Sequence, residues 1–216
     1  KRLEREVAIK LPRSGYISSE QEKDRFVREA VAAARLRHPH ICPVFEVREA
    51  KGQTYIAMAF IRGVTLKVWR REALPQPRQI AEMMSTIARA VQAAHDQGVI
   101  HRDLKPSNVM VEASGGQPIL MDFGLAKDLS HDDGLTMTGE LIGTPAYMAP
   151  EQAAGKASQV GKHSDVYALG AILYELLTGR APFDGTLMEL LQKVQEVEPA
   201  SIRRINGKVH RDLETI

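Results

Sequence analysis

The stretch HRDLKPSN, His101 to Asn108, decides how the rest of the chain is read. Apolar GVI precedes it and apolar VMV follows it. Between them stand Arg102, Asp103 and Lys105, then a proline and an asparagine. A surface turn accounts for such polarity cheaply. A reaction centre accounts for it better, provided the rest of the chain supplies the other parts of one.

Working outward, the segment before it is helical. Ile80, Met84, Ile87, Val91 and Ala94 recur at spacings of four and three, a stripe on a long helix that ends before Gly98. After it, VMV and PILM read as a short strand pair around SGG. Residues 123–150 hold Gly, Thr, Ser and Asp with no stable period and read as an extended loop, a length that points to function or disorder. The run from Asp165 to Thr178 carries Val166, Leu169, Ile172, Leu173 and Leu176 and predicts a central buried helix closed by Gly179. A further helix is predicted over 187–197, and RDLETI looks like a helix opening.

Toward the start the period changes. VAIKL (7–11), VFEV (44–47) and TYIAMAF (54–60) are strand-like, with Lys51-Gly52 as the turn between the last two. Residues 20–37 predict a helix whose face is Phe26, Ala30, Ala33 and Ala34. Pro39 breaks it, and Gly63 marks a boundary. A strand-rich first 61 residues thus precede a mostly helical remainder. The expectation is one α+β domain of two lobes, 1–61 and 62–216, with a cleft between them.

Composition narrows the class. Hydrophobic residues make up 44% and charged residues 26%, the balance of a globular protein with a core. A net charge of +2 shows no basic excess calling for nucleic acid. The single cysteine, Cys42, allows no internal disulfide and points to a reducing, cytoplasmic setting. No apolar run is long enough for a membrane helix, and no signal peptide is visible.

Asp122-Phe123-Gly124 follows Asp103 by nineteen positions. VAIK, HRDLKPSN, DFG and APE (Ala149 to Glu151) come in that order. In this the chain resembles the protein kinase family. Each piece alone is weak; the four together, each on its expected element, are specific. The wording of HRDLKPSN, GTPAYMAPEQ and SDVYALGAILYELLTGRAPF is closest to bacterial serine/threonine kinases of the eukaryotic type. The resemblance covers essentially the whole chain and implies an ATP- and Mg2+- (or Mn2+-) dependent phosphotransferase acting on Ser/Thr hydroxyls of proteins.

The roles follow residue by residue from that resemblance. Lys10 holds the α- and β-phosphates, and Glu29 in FVREA orients it. Asp122 binds one metal ion and Asn108 the second. Asp103 takes or orients the acceptor hydroxyl, and Lys105 neutralises γ-phosphate charge. Met58 stands beside adenine, Ala8 and Met110 sandwich it, and the backbone of Ala59, Phe60 and Ile61 hydrogen-bonds it. Thr144 touches Asp103 and Lys105. Arg102 receives a phosphate placed on Thr136 or Thr138 in the activation loop. His101, Phe123, Gly124, Glu151 and Asp165 are structural, with His101 packed near Phe123. Glu151 pairs, by resemblance, with an arginine this chain does not match.

Plainer readings stand beside these. Lys10 could be an edge lysine, and Met58, Val109 and Met110 plain core. Thr136 and Thr138 could be loop polars. His38 and His40 read as loop residues rather than metal ligands, and Cys42 as packing.

The pattern is incomplete. The Gly-rich loop expected before VAIK is absent, as are two strands of the first lobe and the last helices. The chain therefore looks like a catalytic-domain fragment, with an incomplete small lobe and a truncated large one. The expectation is an exposed edge at 7–11, marginal stability, and weak or no activity of 1–216 alone. Flanking parts leave room for membrane attachment at the cytoplasmic face and for a homodimer that autophosphorylates. The competing function is an ATP-binding pseudokinase or scaffold. Its mark would be loss of Lys10, Asp103, Asn108 or Asp122, and all four are present.

Overall fold

The computed structural model describes residues 6–12, 20–50, 53–123 and 145–215. The expectations placed on the Lys51-Gly52 turn, Gly124, Thr136, Thr138 and Thr144 fall outside these residues.

β1 (Val7–Lys10) alternates in exposure, so Ala8 and Lys10 share the inward face while Val7 and Ile9 point out. It pairs antiparallel with β3 (Gln53–Ala59), Ala8 opposite Met58 and Lys10 opposite Ile56. β3 also pairs with β2 (Val44–Ala50), giving the order β1-β3-β2. Among the described residues the outer edge of β1 has no strand beside it, with Ile9 52% exposed. α1 (Glu20–Arg35) covers the sheet with Phe26 and Ala30, which pack with Cys42, Ile56 and Met58. Ala34, expected on that face, is exposed, and Leu36 takes the position instead. The reason is geometric: Phe26, Ala30 and Ala33 fix the buried stripe, and Ala34 lies about 100° beyond Ala33.

Gly63 is not only a boundary. It opens β4 (Gly63–Thr65), which pairs with β5 (Val109–Glu112), itself paired with β6 (Pro118–Leu120). Glycine is required there, because a Cβ would lie 2.1 Å from the Val111 carbonyl oxygen. The following helix α2 (Leu66–Ala73) has no counterpart among the sequence expectations. Thr65 caps it by accepting from the Val68 amide, and it fully buries only Leu66, with Trp69 packed half-buried on the same core, a face too short to show a period.

α3 (Pro77–Asp96) buries Ile80, Met84, Ile87, Val91 and Ala94 as expected, against α5 (Lys162–Thr178). α5 starts three residues before Asp165, and Gly179 closes it in the left-handed conformation, φ 82°. Ile172, Leu176 and Leu177 are fully buried, but Val166 is 61% exposed. Asp165 and Ala168 claim the covered side of that turn, and Val166 points away from both. The segment expected to be loop up to 150 contains a tight 3-10 turn, Pro145–Tyr147, and ends at α4 (Pro150–Ala153). α6 (Leu187–Glu196), α7 (Ile202–Ile205) and α8 (Arg211–Glu214) complete the helical part.

Candidate active site

The loop after α3 is held by one buried carboxylate. Asp165, 1% exposed, accepts from the His101 amide and the Arg102 amide, each at 2.8 Å. It also lies 2.7 Å from His95 Nε2 at the end of α3. These bonds hold Arg102 at φ 65°, a left-handed conformation that a non-glycine residue keeps only when its surroundings impose it.

The polar cluster of the loop is knotted on Asp103. Lys105 Nζ lies 2.7 Å from Asp103 Oδ2, and Asn108 Nδ2 donates to Asp103 Oδ2 at 3.1 Å and to its carbonyl at 2.8 Å. The loop ends in the 3-10 turn Pro106–Asn108, which leads Asn108 straight into β5. The Asn108 carbonyl accepts from the Met121 amide at 2.8 Å, and that bond places Asp122 beside the knot.

Asp122 is itself left-handed, φ 61°, and its Oδ1 lies 2.7 Å from Lys10 Nζ. The small sheet and the loop of the large lobe thus meet in one ion pair. Phe123 turns inward and packs on His101, ring centroids 4.7 Å apart. His101 Nε2–H donates to the Met121 carbonyl at 2.8 Å, and burial lowers the His101 pKa, so the ring is neutral. Ala8, Met58, Ile61, Met110 and Met121 gather in one apolar cluster beside this pair. The Ala59 amide already donates to Pro43 at 2.9 Å, and Phe60 is 52% exposed. Cys42, buried, donates to the Ala59 carbonyl at 3.5 Å, and burial pushes its thiol up to about 11. It is a packing group rather than a nucleophile.

The donor set suits a hard divalent cation. Asn108 is buried, and among the described residues its amide nitrogen donates only to Asp103. Its Oδ1 and the second oxygen of Asp122 have no protein donor among the described residues. One amide oxygen and one carboxylate oxygen, with the Asp103 carboxylate near them, match the ligand chemistry of magnesium.

Glu29 sits half-buried on α1, one residue before Ala30. Glu151 accepts from Ser164 Oγ and lies 3.2 Å from His163 Nε2. Two residues with site contacts were not anticipated. His95, 4% exposed, ends α3, and Gln152, 8% exposed, bonds the Arg102 carbonyl from α4. The only signal for His95 is a polar residue next to Ala94 at the end of an apolar stripe.

Comparison with known proteins gives concordant results. The family described as protein kinase domain matches residues 1–214. The chain is 43% identical over 216 residues to the probable serine/threonine-protein kinase PknB of Lactococcus lactis, covering 99% of this chain and 34% of that protein. It is 38% identical to the serine/threonine-protein kinase PrkC of Bacillus subtilis, covering 99% of this chain and 33% of that one. The crystal structure of the Mycobacterium tuberculosis PknI kinase domain superposes with a TM-score of 0.73 at 27% identity, over 95% of this chain and 73% of that one. The chain therefore spans about a third of the length of the curated relatives it matches.

Proposed function

The chain belongs to the protein kinase family, and on that premise we propose that it transfers the γ-phosphoryl group of ATP to serine and threonine hydroxyls of proteins. The observation that carries the proposal is the Asp103–Lys105–Asn108 knot set beside the Lys10–Asp122 pair. The named relatives are serine/threonine-protein kinases, which supports the hydroxyl acceptor.

Transfer of this kind asks a protein for position and charge more than for covalent chemistry. Lys10, on the inward face of β1, reaches the α- and β-phosphates, and Glu29 orients it. Ala8, Met58 and Met110 supply the apolar slot for adenine, closed by backbone groups of Ala59, Phe60 and Ile61. Asp122 and Asn108 hold magnesium or manganese, which neutralises phosphate charge when bound. Asp103 accepts the proton of the acceptor hydroxyl as its oxygen bonds to the γ-phosphorus. The bond from that phosphorus to the β,γ-bridging oxygen breaks, and ADP leaves. Lys105 stays beside Asp103 and balances the charge on the transferring group. Arg102, whose side chain is exposed, is placed to receive a phosphate carried by Thr136 or Thr138. Thr144 shapes the acceptor side.

The same proposal covers the whole protein's setting. Its substrates are proteins, it lies in the cytoplasm or at the cytoplasmic face of a membrane, and a homodimer can phosphorylate itself in trans. No helix among the described residues is long and apolar enough to cross a membrane.

The test is incubation of the complete polypeptide with Mg-ATP, read by intact mass and site mapping beside an Asp103→Asn control. Added phosphate on Thr136 or Thr138, absent in the control, is the expected result. No added mass despite ATP binding would favour a scaffold that binds nucleotide without transfer.

A further inference from the structure

Gln152 follows Glu151 at the start of α4 and is 8% exposed. Its Oε1 accepts from the Ala149 amide at 3.0 Å, the ordinary reach of a capping-box glutamine back to the helix start. The other end of the same amide does something a cap does not require. Nε2 donates to the Arg102 carbonyl at 2.8 Å, fifty residues away. The two partners fix the orientation of the side chain without ambiguity. An amide N–H must face an acceptor, and a carbonyl oxygen must face a donor.

The Arg102 carbonyl belongs to the peptide joining Arg102 to Asp103. The N–H of that peptide, the Asp103 amide, points to His101 Nδ1 at 3.4 Å, a long contact. The preceding peptide is held separately, by the Arg102 amide on Asp165 Oδ1. Arg102 therefore sits at φ 65° between two pinned peptides, and Gln152 supplies the stronger pin on the Asp103 side. Rotation of that peptide would swing the Asp103 side chain away from Lys105 and Asn108.

We infer that Gln152 is a positioning residue: its side chain couples the segment ending at Ala149 to the peptide that aims Asp103. The inference rests on the phosphotransfer role proposed for Asp103. It adds a residue that touches neither nucleotide nor acceptor. It also gives the 145–149 segment a direct line to the catalytic loop. That segment carries Tyr147, whose hydroxyl donates to Glu175 on α5. A disturbance at Ala149 reaches Asp103 through one side chain.

Gln152→Glu and Gln152→Ala, made in the complete polypeptide, distinguish positioning from space-filling. Glutamate is the near-isostere, but its carboxylate turns an acceptor toward the Arg102 carbonyl, oxygen against oxygen. The expected order of kcat is wild type, then Gln152→Ala, then Gln152→Glu lowest by about tenfold or more, with the KM for ATP within about twofold. Hydrogen exchange at the Arg102 and Asp103 amides rises in both variants, while amides in the middle of α5 keep wild-type protection. A kcat for Gln152→Glu at or above that of Gln152→Ala overturns the inference. So does faster exchange spread evenly over α4 and α5. If the wild type itself transfers no phosphate, the proposed function fails, and exchange at Arg102 and Asp103 still decides whether Gln152 holds that peptide.

Discussion

Lys10 Nζ and Asp122 Oδ1 stand 2.7 Å apart, joining the first strand of the small sheet to the second residue after β6. Each side chain is about a third exposed, so the pair contributes under about 1 kcal/mol to stability. Its value is positional. Lys10→Met is expected to shift the melting temperature by only a few degrees. On the role proposed for Lys10, phosphoryl transfer should fall by about a hundredfold or more, since a fixed cation beside the phosphates would be lost. Paired thermal melts and initial rates check this. A large melting shift would make Lys10 structural.

Asp165 is the opposite case. It is 1% exposed and accepts the His101 and Arg102 amides while touching His95. Asp165→Ala leaves two backbone donors unsatisfied inside the protein. The expected loss is about 3–5 kcal/mol in urea unfolding. Asp165→Asn, which retains an acceptor oxygen, should lose less.

Two positions on one helix test the core. Ile172 is fully buried and Val166 is 61% exposed. Ile172→Ala should cost about 2–5 kcal/mol, and Val166→Ala about 0.5 kcal/mol or less. Equal losses in chemical denaturation would show that Val166 is covered in the native protein.

His101 gives stability a pH dependence. Burial lowers its folded-state pKa below 6.5, while the unfolded chain keeps the ordinary value. The unfolded state therefore takes up a proton first as pH falls. The neutral ring's contribution is intact above about pH 6.5 and declines below it, until the folded form protonates as well. Melting temperature should drop between pH 7.5 and 5.5. His101→Phe keeps the ring packing on Phe123 and should flatten the His101 part of that slope.

Part of the candidate site is legible in the sequence because ordered motifs carry it. Asp103, Asn108, Asp122 and Lys10 stand out through HRDLKPSN, DFG and VAIK, and folding brings them into the Asp103 knot and the Lys10–Asp122 pair. The long helices show through Ile80 to Ala94 and Ile172 to Leu176, where burial imposes a period. What escapes is held by geometry rather than type. α2 spans eight residues, and its face of Leu66 and Trp69 is too short to show a period. α4 is four residues long and hides behind an irregular segment. Val166 lies in an apolar run, yet its turn is covered from the Asp165 side. Gln152 looks like any polar helix residue, and its role exists only because folding brings Arg102 to it across fifty positions.

The most direct measurement is single-turnover transfer from Mg-ATP to a serine/threonine peptide by the complete polypeptide, wild type beside Asp103→Asn. Asparagine keeps the shape and can still face Lys105 and Asn108, but it cannot take a proton. The account predicts normal ATP binding by both proteins and transfer slowed by about 10²- to 10⁴-fold in the variant. Equal rates in the two proteins, or no transfer by the folded, nucleotide-bound wild type, would contradict it.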